Sequence, residues 1–159
     1  MKITKALQKT AYHEAGHAVI AWGLGIDIGD IVILNEDSGY VSHRSPFSEV
    51  VDFDEFENSE DFDSVANNMI LYSLAGPMSE KKFNPDGFDT ACSNDDLEKV
   101  SELLIRMNTD GASFEKKVQE MINDPDTWAV IQLIANQVIE HQGLSRERVQ
   151  QLLQHVGFD

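Results

Sequence analysis

The sequence predicts a mostly helical single domain with a small β-hairpin after its first helix. Apolar residues recur at steps of three and four over residues 3–23, and again from Phe62 onward, which places them on one face of a helix. Between these stretches, residues 28–34 are rich in β-branched side chains, the turn cluster Asn35-Glu36-Asp37-Ser38-Gly39 follows, and Tyr40-Val41-Ser42-His43 comes next. That order is a hairpin pattern. A length of 159 residues suits one domain, so residues 1–159 are read as a single unit.

The first helix is set by Leu7, Ala11, Ala15, Ala18 and Trp22, and Gly23 and Gly25 end it. Pro46 closes the second strand. Residues 44–60 read as a long acidic loop carrying Phe47, Phe53 and Phe56. Helical spacing returns through Phe62, Val65, Met69, Leu71, Tyr72 and Leu74. Pro77 then predicts a kink, or a stop and restart, because proline lacks an amide hydrogen and clashes one turn back. Residues 84–92, with Asn84-Pro85-Asp86-Gly87, read as a loop. Ser93-Asn94-Asp95-Asp96 has the form of a capping box, with Ser93 as the N-cap and Asp96 three residues on. A helix follows to about Met107, and others are expected at roughly 112–123, 126–142 and 145–155, with Pro125 and Gly143 between them.

Hydrophobic residues make up 42% of the chain, enough for a core, and the formal net charge is -16. That field repels nucleic acid and anionic membrane surfaces, and the basic residues form no patch to offset it. Eight acidic residues fall between Glu49 and Asp63 without a Lys or Arg. The plain reading of this run is a solvated loop; the sharper one is a surface that attracts basic substrates or partners. The single cysteine, Cys92, allows neither an internal disulfide nor a cysteine-based zinc site. With no apolar run of membrane-spanning length and no signal-like start, the expectation is a cytoplasmic protein.

His13-Glu14-Ala15-Gly16-His17 is an H-E-x-x-H sequence within the first helix. Residues i and i+4 share a helical face, so both imidazoles can reach one metal ion. Glu14 points elsewhere and is placed to hold a water on that ion and act as its general base. Gly16 weakens the helix, and close approach by another element is a reason to keep it. The same pattern can also arise as two ordinary histidines on an amphipathic helix. A catalytic zinc site needs a third protein ligand. The metzincin extension would require a glycine at position 20 and a histidine at position 23, where Ile20 and Gly23 stand. His43, His141, His155 and many carboxylates remain as candidates. Asp95 suits the role as a short side chain in the first turn of a capped helix, although a plain helix-start acid has the same pattern.

Ala11-Tyr12-His13-Glu14-Ala15-Gly16-His17-Ala18 is similar to the zinc helix of the FtsH family of ATP-dependent metalloproteases. Leu74-Ala75-Gly76-Pro77-Met78-Ser79-Glu80 resembles that family's Gly-Gly/Ala-Gly-Arg-Ala-Ala-Glu segment. Thr90-Ala91-Cys92-Ser93-Asn94-Asp95-Asp96-Leu97 resembles its Thr-Gly-Ala-Ser-Asn-Asp segment. Residues 130–153 look like its closing helix pair, including the Leu144-Ser145-Arg146-Glu147 start of the last helix. The resemblance implies the FtsH-type peptidase fold. It also implies Zn2+ held by His13, His17 and Asp95, with Glu14 as the catalytic base. Pro77 stands where the family has Arg, and Ala91 where it has Gly.

The family joins its peptidase to an ATPase, yet these 159 residues contain no G-x-x-x-x-G-K-[ST] phosphate loop. The implied activity is a zinc endopeptidase acting on peptides or unfolded protein, with any pulling of folded chains left to a separate ATPase or adaptor. The substrate strand would lie along Tyr40 to His43. The alternative is a non-catalytic, metal-containing binding or regulatory module of the same fold, which would have no need of Glu14 as a base.

Overall fold

A computed structural model describes residues 2–43 and 62–158. Pro46, Phe47, Phe53, Phe56 and nearly all of the acidic run lie outside the described residues. The elements are α1 (Lys5–Leu24), β1 (Ile28–Asn35), β2 (Ser38–His43), α2 (Phe62–Phe83), α3 (Asn94–Met107), α4 (Ala112–Asn123), α5 (Pro125–His141), β3 (Gly143–Leu144) and α6 (Arg146–His155). Two short 3-10 turns, Pro85–Gly87 and Thr90–Ser93, join α2 to α3. The chain is mostly helical, as the sequence predicts, and the expected hairpin is part of a small three-stranded antiparallel sheet.

Helix α1 is the centre of the molecule. The Thr4 hydroxyl caps its start by accepting from the Leu7 amide at 3.1 Å. Gly25 ends it at φ 73°, a left-handed conformation that suits glycine. Every residue from Ala11 to Ala21 is buried. A helix buried all round must be covered on several sides, and α1 packs against α2, α5 and the sheet. The close approach expected at Gly16 is found: a β-carbon there would lie 2.6 Å from the Ala75 carbonyl oxygen of α2.

Helix α2 runs unbroken through Pro77, so the stop and restart does not occur. Proline removes the hydrogen bond that the Ser73 carbonyl would receive. Burial of Ala66, Ile70, Tyr72, Leu74 and Ala75 around it holds the helix together. The sheet has the order β2-β1-β3. Strand β1 pairs with β2 in the register Val32↔Tyr40 and Ile33↔Gly39, and with β3 as Ile31↔Leu144 and Val32↔Gly143. The two-residue β3 is absent from the sequence expectation. It exists because Gly143, at φ 134°, lets its backbone approach Ile31, whose carbonyl oxygen would lie 2.8 Å from a β-carbon at that position. Pro125 opens α5 under an Asp124 cap, and Ser145 caps α6. Among the described residues, no helix is long and apolar enough to cross a membrane.

Candidate metal centre

Helix α1 presents His13 and His17 on one face, each less than a tenth exposed. Their Nε2 atoms lie 3.1 Å apart. Asp96, in the first turn of α3, brings Oδ2 to 3.0 Å from His13 Nε2 and 3.2 Å from His17 Nε2.

The outer nitrogens are held as well. His17 Nδ1 donates to the Tyr72 carbonyl oxygen at 2.9 Å, and His13 Nδ1 donates to Glu80 Oε2 at 3.0 Å. A carbonyl or carboxylate can only accept, so both Nδ1 atoms carry a proton, and in the neutral rings, the form that binds a metal, both Nε2 atoms present lone pairs. Three lone-pair atoms therefore converge with no hydrogen of their own to share. Such a cluster requires a cation among them, either a proton or a metal ion. Two neutral imidazoles and a carboxylate are a suitable donor set for zinc, and ligands around a tetrahedral zinc stand about 3.3 Å apart. His13, His17 and Asp96 thus form a group able to hold a metal ion.

The third member is Asp96, not Asp95. Asp95 is exposed and lines the mouth of the same cleft, outside the converging group. The helix phase explains the difference. Asp96, Val100 and Leu103 recur at i, i+4 and i+7 on the inward face of α3, whereas Asp95 shares its face with the exposed Lys99 and Glu102. The expected capping box does not form either. Ser93 takes the N-cap position without a side-chain cap bond, and the Asp96 carboxylate turns to the histidines instead. His141 and His155 are exposed and lie outside the cleft, and the side chain of His43 lies outside the described residues.

Glycine makes the convergence possible. Gly76 of α2 faces the ligand atoms, and a β-carbon there would come within 2.7 Å of His13 Nε2 and closer still to His17 Nε2. Glu14 is buried beside the group. Its Cγ would be 3.3 Å from a β-carbon at Gly39, so β2 passes directly over it. A cleft of about 330 Å3 opens here, with Lys9, His13 and Glu14 on its α1 wall, Gly39 and Tyr40 on the β2 wall, and Asp95 on the α3 wall.

The electrostatics follow from this crowding. Burial disfavours the His13 imidazolium, but hydrogen bonds to Asp96 and Glu80 and the charge of Glu14 outweigh it and push His13 up to about 10. Burial also opposes the Asp96 carboxylate, yet the hydrogen bonds to His13 and His17 hold it below its usual range. For Glu14, burial wins and raises the pKa against the pull of His17 and His13. Burial likewise raises Tyr72, with help from the charges of Glu14 and Asp96.

Fold and cluster together define the class: a helical domain with a small antiparallel sheet and a buried His/His/Asp group able to hold a metal ion. No protein-family model matches the chain, and no curated protein matches it.

Proposed function

We propose that this domain is a zinc-dependent endopeptidase that hydrolyses peptide or unfolded protein segments. The observation that carries the reading is the convergence of His13 Nε2, His17 Nε2 and Asp96 Oδ2 beside a buried carboxylate, Glu14, in an open cleft. A structural metal site has no use for a buried, unligated carboxylate at its side; a hydrolytic one does.

When bound, zinc would supply Lewis-acid polarisation of a carbonyl and acidify a water molecule. The protein's own groups do the rest. His13, His17 and Asp96 would hold the ion, with Glu80 and the Tyr72 carbonyl fixing the two rings. Glu14 removes the proton from the attacking water and passes it to the leaving amine. Its burial raises its affinity for that proton, which suits a group that must take one near neutral pH. Strand β2 is the edge of the sheet among the described residues, and it borders the cleft through Gly39, Tyr40 and Val41. An added substrate strand can pair there by main-chain hydrogen bonds, leaving side-chain choice loose.

The test is cleavage of casein or a peptide library by zinc-replete protein. Cleavage should stop on chelation and return with zinc. A fully zinc-loaded protein that cleaves nothing would instead favour the non-catalytic binding module.

A further inference from the structure

We propose that Thr10 is a positioning residue for the substrate strand: its hydroxyl ties the β1–β2 turn to α1 and so fixes the edge strand β2 over Glu14. The proposal rests on the peptidase reading above and adds to it a residue outside both the H-E-x-x-H sequence and the metal cluster.

Thr10 and Glu14 stand at i and i+4 of α1, so they share one helical face. That face meets the hairpin twice. The Thr10 hydroxyl donates to the Glu36 carbonyl oxygen in the turn at 2.8 Å. One helical turn on, Gly39 passes so close to Glu14 that a β-carbon there would lie 3.3 Å from Glu14 Cγ. The base and the strand above it are thus both referenced to one stretch of helix. A second hydroxyl, that of Thr4, donates to Glu36 Oε2 at 2.8 Å while it caps α1. Apolar packing fades toward the tip of the hairpin. Ile28 and Ile31 are buried at the far end of β1, but Leu34 is 62% exposed, and Asn35, Glu36 and Asp37 are exposed as well. The tip is therefore held to α1 by hydroxyl groups rather than by a core.

A peptide that pairs with β2 needs that strand at a fixed place relative to the metal ligands and Glu14. Valine at position 10 keeps the shape of threonine and loses the donor. The turn then gains freedom that a substrate must remove on binding. With the strand in place for only a fraction of the time, apparent affinity falls by that fraction, while the filled site reacts as before. The cost belongs to peptide binding, not to the chemical step or the metal.

The experiment compares the full zinc-loaded chain with Thr10→Val and Thr10→Ser on one cleaved peptide and on two hydroxamates. Acetohydroxamate reaches only the metal; a peptide hydroxamate is long enough to pair with β2. The proposal expects Thr10→Val to keep its zinc and helix content. It expects KM higher by about 3–10-fold, the worth of one lost hydrogen bond, with kcat little changed and the peptide hydroxamate weakened equally. Acetohydroxamate should bind as it does to the parent, and Thr10→Ser, which keeps the hydroxyl, should match the parent throughout. Unchanged KM and unchanged peptide-hydroxamate binding overturn the proposal and leave the peptidase reading standing. A loss confined to kcat, equal weakening of both hydroxamates, or loss of zinc or helix content also overturns it, because Thr10 then acts through the metal site or the fold. A parent that cleaves nothing overturns the peptidase reading, and the two hydroxamates then decide the role of Thr10 by the same criteria. A parent that binds neither hydroxamate overturns both.

Discussion

Gly76 stands against His17 so closely that a side chain at this position would occupy the space of the imidazole. A β-carbon on Gly76 would also fall 2.7 Å from His13 Nε2, so even a methyl group must move both rings. Gly76→Ala should therefore separate two effects. Alanine favours a helix interior by about 1 kcal/mol over glycine, so helicity should persist. Zinc affinity should fall by about 10–100-fold or more, the range seen when groups that orient metal ligands are disturbed. Zinc titration of the two proteins, with circular dichroism beside it, measures both.

Asp96 and Asp95 are neighbours with opposite expectations. Asp96→Ala removes the oxygen that lies within 3.2 Å of both Nε2 atoms, and zinc binding should collapse by more than the 10–100-fold typical of an outer-shell loss. Asp95→Ala should keep zinc at one equivalent, because Asp95 faces solvent. Reversal of this pattern would restore Asp95 as the ligand.

Much of this arrangement is legible in the sequence. The spacing of Leu7, Ala11, Ala15 and Ala18 predicts α1, and H-E-x-x-H within it brings two imidazoles to one side. Gly16 signals a close neighbour, and α2 supplies it. Where similarity and helix phase disagree, phase decides. Ser93-Asn94-Asp95 points to Asp95, but the apolar residues Val100 and Leu103 single out Asp96 as the inward acid. Strand β3 is too short to carry a periodic signal, since two residues show no alternation. The continuity of α2 through Pro77 depends on packing with distant residues, which local rules do not contain. The roles of Glu80 and the Tyr72 carbonyl depend on contacts 67 and 55 residues away in sequence, so no local pattern announces them.

Glu80→Gln should weaken zinc without abolishing it. Glutamine can still accept from His13 Nδ1 but no longer brings a negative charge, so the ring becomes a poorer ligand. A loss of about 10–100-fold in affinity is expected. Titration with a competing chelator checks this, and unchanged affinity would show that the 3.0 Å contact between Glu80 and His13 does not tune the metal site.

In the metal-free protein a proton takes the place of the metal ion. The groups around it are Asp96 from α3, Glu80 and Tyr72 from α2, and Glu14 and His17 from α1. His13 has a folded pKa of about 10 against an ordinary 6.5, so its contribution to stability is complete below about 6.5 and fades as pH rises through about 10. Asp96 runs the other way: its contribution is present above its ordinary 3.8 and is lost only as pH falls through its lowered value. Chelated protein should therefore melt lower at pH 10 than at pH 6. Zinc must displace the His13 proton, so binding at pH 7 should release about one proton and tighten as pH rises. Calorimetric titration in two buffers of different ionisation enthalpy counts the protons, and a count of zero would contradict a protonated His13.

The most direct test of the zinc-peptidase account is peptide hydrolysis by the Glu14→Gln variant beside the parent, both with one zinc per chain. Glutamine nearly matches glutamate in shape, and Glu14 is not among the three converging ligand residues, so fold and zinc should be retained. Glutamine cannot accept the proton, and loss of general-base catalysis should slow cleavage by about 10²–10⁴. A parent that cleaves peptides and a zinc-loaded Glu14→Gln that does not is the predicted result. Equal cleavage by the two proteins would contradict the account.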